Sequence, residues 1–147
     1  MALIVGIDPG KDVGFATAKD GLLLNVTTID FWECINHLRN MQFMGITVYI
    51  EDPNVNRPIF IKSLFGTEKS KNLMMQKIAQ DVGANKRDAQ LIIEFCVRHK
   101  ISVVPRPPLR GFFSKMNSKD FKITTGYTER TSQHGRDAAM LIYGIKA

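Results

Sequence analysis

Four residues in this chain have the types and spacing to do chemistry together. Asp8 ends the apolar run Leu3-Ile4-Val5-Gly6-Ile7 and is followed at once by Pro9 and Gly10. Glu51 ends a second such run, Ile46 to Ile50. Asp137 follows His134 by three residues, so on a helix the two share one face. An acid at the end of a buried strand is costly unless something pairs with it or binds it. Acids gathered from several elements repel one another and are stable mainly when cations neutralise them. Oxygen-rich sites suit Mg²⁺ or Mn²⁺. Two such ions about 3.5–4 Å apart can activate a water and stabilise the leaving oxygen in phosphodiester cleavage. Taken singly, each residue has a plainer reading: Asp-Pro-Gly is ordinary turn chemistry, and an isolated histidine is often solvated or capping.

The elements that must position these residues can be read from periodicity and turn residues. Residues 2–7 read as a first strand, Val13 to Lys19 as a second and Leu22 to Thr28 as a third, with turns at Asp-Pro-Gly-Lys and Gly21. Together they form an antiparallel meander. Asp30 to Met41 reads as a helix with Phe31, Ile35, Leu38 and Met41 on one stripe, and Ile46 to Ile50 as a fourth strand. Residues 52–66 read as an irregular loop, and Thr67 to about Gln80 as a helix broken at Gly83. Asn85 to His99 reads as a stronger helix with Ala89, Ile92, Ile93, Cys96 and Val97 on its stripe. Ile101 to Val104 is a short strand, which the prolines at 105, 107 and 108 turn into a loop. Leu109 to Thr131 shows little periodicity and much positive charge. Residues 133–144 read as a last helix with Ala138, Leu141, Ile142 and Ile145 inward. This order predicts an α/β fold, a mixed sheet with helices packed on it.

A chain of 147 residues, 44% hydrophobic and 23% charged, suits one globular domain over 1–147. No apolar run is long enough to span a membrane, and the N-terminal run is cut too short by Asp8 for a signal peptide. Cys34 and Cys96 lack metal-ligand spacing and read as free thiols of a reducing cytoplasm. The net charge of +6 is unevenly spread. Residues 1–53 hold three basic residues against seven acids, and residues 54–147 hold seventeen against seven. Acids at strand ends beside a basic half suggest a polyanion held over a metal site.

Gly6-Ile7-Asp8-Pro9-Gly10 followed by Gly14-Phe15-Ala16, then Val48-Tyr49-Ile50-Glu51, then His134-Gly135-Arg136-Asp137-Ala138-Ala139 resembles the RuvC family of Holliday junction resolvases, its compact phage-type members in particular. The motifs stand in family order and span nearly the whole chain. The resemblance implies an RNase H-like fold: a five-stranded mixed sheet, its first three strands antiparallel, flanked by helices. It implies that Asp8, Glu51 and Asp137 are metal-binding carboxylates for Mg²⁺, with Mn²⁺ as a substitute and two ions per site. His134 falls where many members have a fourth carboxylate, as a ligand or a group orienting the attacking water. Lys122-Ile123-Thr124-Thr125-Gly126 looks like the family's Lys-x-x-x-Gly stretch, which would give Lys122 a role in stabilising charge on the cleaved phosphate. The implied activity is a crossover junction endodeoxyribonuclease, in the host cytoplasm if phage-encoded.

The partners expected are branched DNA and a second copy of the chain. Arg110, Lys115, Lys119 and Arg130 in the late basic loop are candidate phosphate contacts, and Lys86 and Arg87 could track another DNA arm. The resemblance implies an aromatic in the region after Glu51 that enters the junction; Phe60 and Phe65 lie there, and Phe65 ranks first. The plainer reading of these rings, and of Phe112 and Phe113, is packing under their own loops. Two symmetric cuts call for two sites related by a two-fold axis. The 85–99 helix, with Leu91 and Phe95, is the candidate dimer face. Three other readings compete: a YqgF-type RNA-processing nuclease, half of an actin-like ATPase, and a junction-binding protein without catalysis.

Overall fold

The structure, a computed structural model, describes residues 3–53 and 86–145. Among these residues the chain builds an α/β fold with a five-stranded mixed sheet. Strand β1 (Ile4–Asp8) pairs antiparallel with β2 (Val13–Lys19), and β2 antiparallel with β3 (Leu22–Ile29). Helix α1 (Phe31–Met41) crosses back to β4 (Thr47–Glu51), which runs parallel to β1. A helix over residues 86–98, α2, leads to β5 (Ser102–Arg106), parallel to β4. The spatial order is β3-β2-β1-β4-β5. A short 3₁₀ turn (Gly111–Phe113), α3 (Ser118–Thr125) and α4 (Gln133–Ile142) follow. No helix among the described residues is long and apolar enough to cross a membrane.

Two cores form, one on each face of the sheet, because successive strand side chains point to opposite faces. Val5, Ile7, Val13, Phe15, Val48 and Ile50 face α1 and α2, where Cys34, Ile35, Leu38, Ala89, Ile92 and Cys96 cover them. Ile4, Ala16, Ala18 and Val26 face the other way, against Phe121 and the α4 residues Ala138 to Ile142. Cys34 and Cys96 are buried free thiols, and burial pushes both up to about 12.

Local chemistry sets the boundaries. Asp30 caps α1, its Oδ1 accepting the Glu33 N–H at 2.8 Å. Ser132 caps α4 in the same way, accepting from Gly135 N–H.

Four expectations need correction. β5 does not stop at Val104 but runs through Pro105, paired with Ile50, to Arg106. It is an edge strand, which needs donors only toward β4, so a proline is tolerated there. The 109–131 stretch is not irregular throughout, because α3 lies within it. Eight residues are too few to show a period, but Asn117 accepts from Asp120 N–H and Gly126, at φ 74°, closes the C-terminus on the Lys122 carbonyl. Val97 is not on the buried stripe of α2 but 63% exposed. The last helix ends at Ile142 rather than 144. The expected helix from Thr67 to Gln80, the loop from residue 54 on, and Phe60 and Phe65 lie outside the described residues.

Candidate functional site

Asp8 and Glu51 become neighbours through sheet register. β1 and β4 are parallel with Ile7 opposite Ile50, so their last residues stand side by side at the C-terminal ends of two interior strands. Both belong to the alternation that faces α4, since Val5, Ile7, Val48 and Ile50 take the opposite face.

Helix α4 brings the other two groups because the sheet beneath it is pared down to backbone. Gly6 and Gly14 stand on the strands it crosses. A Cβ on Gly6 would overlap the Ala138 carbonyl, and one on Gly14 would overlap the His134 carbonyl. Ala16 and Ala18 continue this shallow trough, and Ala138 and Ala139 of α4 fit into it. Gly14 is the register partner of Asp8, so the turn of α4 that touches Gly14 delivers His134 to Asp8. His134 Nδ1 lies 3.2 Å from Asp8 Oδ2. The Asp8 side chain is 13% exposed and that of His134 49%.

Asp137 is held by its own set of donors. Its Oδ1 accepts the Lys115 backbone N–H at 3.0 Å and Gln133 Nε2 at 3.2 Å. Lys115 has a positive φ of 52°. The next link is Arg136, which is 9% exposed. Its Nε donates to the Met116 carbonyl at 2.7 Å, and its Nη1 donates to the carbonyl and Oγ1 of Thr131, each at 3.0 Å. Arg136 therefore fastens the 115–116 segment and the 131 segment to α4, one residue from Asp137.

The four groups line an open cleft of about 550 Å³ that also takes in Lys11, Ser114 and Lys115. Its electrostatics are those of crowded acids. Burial, and then the Asp8 charge beside it, pushes Glu51 up to about 8. Burial also raises Asp8, partly offset by its hydrogen bond with His134, while the Asp137 charge adds to the rise. At neutral pH the Asp8–Glu51 pair thus retains a proton where two carboxylates would otherwise face each other.

Three carboxylates and an imidazole on an accessible cleft are, in donor type, a fit for a hard divalent cation. Asp8, Glu51 and Asp137 would hold it, with His134 at the rim. Among the described residues, no three His, Cys, Asp or Glu groups are already drawn together as a cage. A cation would take the place of the proton on the Asp8–Glu51 pair.

The other candidates are scattered. Lys115 lines the cleft, and Arg110 follows Leu109, which also lines it. Lys119, Lys122 and Arg130 are exposed and are not among the lining residues. The Lys-x-x-x-Gly spacing serves a helix end here, with Gly126 N–H donating to Lys122 O at 2.9 Å. Lys86 is half-buried and Arg87 exposed, the first described residues of α2 and remote in sequence from the lining residues. Leu91 is 39% exposed. Phe95 packs partly on the first core, its ring 4.1 Å from that of His99. Sequence reasoning missed Lys11 and Arg136. Lys11 had a signal, its place in the turn directly after Asp8. Arg136 had none, since its buried partners are backbone carbonyls and a hydroxyl. In comparisons with known proteins, the chain matches no family model and no curated protein.

Proposed function

We propose that this protein is a metal-dependent, structure-selective DNA endonuclease acting on four-way junctions and related branched DNA. The observation that carries the reading is the meeting of Asp8, Glu51, His134 and Asp137 in one open cleft, brought there by parallel register and by α4 lying on Gly6 and Gly14. The motifs that place these residues are those that resemble the RuvC resolvases, and the order β3-β2-β1-β4-β5 is consistent with the RNase H-like sheet expected from them.

One or two Mg²⁺ ions held by the carboxylates would supply an activated water and a counter-charge for the leaving oxygen. The chain's own residues do the rest. Asp8 and Glu51 would hold the cation in place of the proton they retain without it. His134, anchored on Asp8, is placed at the mouth to orient a water or take its proton. Lys11 and Lys115 border the acids and draw the phosphate backbone in, so binding weakens steeply with salt. Asp137 is kept in position by Lys115 N–H and Gln133. The paired nicks that resolve a junction come from a homodimer.

The test is cleavage of a labelled four-way junction in Mg²⁺ or Mn²⁺ beside a linear duplex, a fork and a structured RNA. Symmetric nicks in the junction, lost to background in Asp8→Asn, are the expected result. Cutting confined to RNA would replace this reading with an RNA-processing nuclease. Tight junction binding without cutting in either metal would replace it with an architectural protein.

A further inference from the structure

The turn Gly111–Phe113 carries two large aromatic rings away from the core. Phe112 is 62% exposed and Phe113 48%. The rings meet edge to face, with centroids 5.6 Å apart and planes at 75°. Neither belongs to the two cores. Exposed apolar surface grouped in this way usually marks a contact site.

Its position is more telling than its exposure. The turn is bracketed by residues of the acidic cleft: Pro108 and Leu109 before it, Ser114 and Lys115 after it. The ring pair therefore stands on the rim of the cleft. Its placement is also fixed. Gly111 takes a φ of 70°, and Ser114 N–H donates to its carbonyl at 3.1 Å. The following residues are tied to α4 through Lys115 N–H on Asp137 and Arg136 on the Met116 carbonyl. The backbone that carries the rings is thus tied to the helix that carries Asp137.

The chemistry of the surroundings selects the occupant. Arg110 precedes the pair, and Lys115 and Lys119 follow it. Cations that pair with phosphates, next to ring faces and edges that stack, are what a strand of nucleic acid requires. A purely apolar protein surface would gain nothing from the flanking cations.

We propose that Phe112 and Phe113 form a base-stacking platform on the rim of the acidic cleft, taking an unpaired nucleobase next to the phosphate that enters it. The proposal rests on the nuclease reading and deepens it. Bases inside a continuous duplex are already stacked, so the platform favours DNA whose bases are free, as at a branch point.

The test measures binding in EDTA, where cutting is suppressed, of three probes: a single strand carrying 2-aminopurine, a four-way junction with 2-aminopurine at the branch, and a fully paired duplex. The wild type should change the fluorescence of the first two. Phe112→Ala with Phe113→Ala should weaken binding of both roughly tenfold or more, with duplex affinity unchanged. Replacing both by Trp should restore binding, and replacing both by Leu should not. Both rings are exposed, so every variant should melt as the wild type does. Equal losses on all three probes, or full binding by the Leu pair, would overturn the proposal. So would a dimer that the alanine pair abolishes without altering DNA affinity, which would assign the rings to a second copy. A wild type that binds none of the probes fails the nuclease reading itself. A double-alanine variant that binds and cuts the junction normally fails only the platform.

Discussion

The two faces of the sheet are packed by different means. On one face, α1 and α2 rest on a layer of full-sized side chains, Val5, Ile7, Phe15, Val48 and Ile50, and the spacing is set by how those side chains interdigitate. On the other, α4 comes down to the backbone at Gly6 and Gly14, and its register is set by carbonyls lying over bare Cα atoms. The first arrangement maximises apolar burial and tolerates modest repacking. The second gives up side-chain volume to place His134 and Asp137 beside Asp8. One face mainly supplies stability and the other mainly supplies geometry, and mutations should separate the two.

The largest combined effect is expected from Gly14→Ala. Its methyl collides with the His134 carbonyl, so α4 must lift. Overpacking of this kind costs about 1–3 kcal/mol. A displacement near 1 Å at the site should lower junction cleavage by about a hundredfold, read by melting and single-turnover cutting together. Leu38→Ala on the opposite face should cost about 2–5 kcal/mol of stability, yet leave cleavage per folded molecule unchanged. Equal activity losses in both variants would erase the distinction between the faces.

Arg136→Met sharpens the comparison within the second face. It removes three donors to backbone and hydroxyl oxygens and should cost about 1–3 kcal/mol. It should also lower cutting at saturating DNA, because Lys115 N–H is no longer held against Asp137. Hydrogen exchange of the Lys115 and Met116 amides would show whether that strap has loosened.

The remaining contrast is the pH dependence of the metal-free protein. Glu51 is raised from the ordinary carboxylate value to about 8 by burial and by Asp8, and Asp8 is raised as well. For such groups the folded state holds protons that the unfolded state has released. The stability contributed by Glu51 is therefore full below about pH 4.5 and falls as pH rises toward 8, and the raised Asp8 adds a fall of the same sign. Mg²⁺ should reverse the slope, since the cation competes with the proton and binds more tightly as pH rises. Thermal melting from pH 5 to pH 8, with and without Mg²⁺, reads both slopes. Glu51→Gln should flatten both.

Much of this architecture was legible in the residues themselves. Alternation and turn chemistry placed β2 to the residue and the other strands to within one or two, apart from the extension of β5 through Pro105. The apolar stripes of α1 and α4 placed both helices to within one or two residues, while their caps, Asp30 and Ser132, emerged only in the structure. Asp8 and Glu51 stood out because each ends an apolar run, and His134 and Asp137 because their spacing of three puts them on one helix face. The short helix α3 did not stand out, since eight residues leave one buried side chain, Phe121, and no visible period.

What the sequence determined by itself was local: which segments are strands, which are helices, and where charge is placed at an apolar boundary. Those follow from backbone sterics and from the period of burial, which neighbouring residues express without help. Only the tertiary structure decided that Lys11 and Lys115 rather than Lys122 border the acids. It alone set the turn that carries Phe112 and Phe113 between residues that line the cleft, and set Arg136 among carbonyl and hydroxyl oxygens. Those outcomes depend on how closely one helix can approach two strands, and that distance is fixed by the absence of side chains at Gly6 and Gly14, residues more than a hundred positions away from the helix they admit.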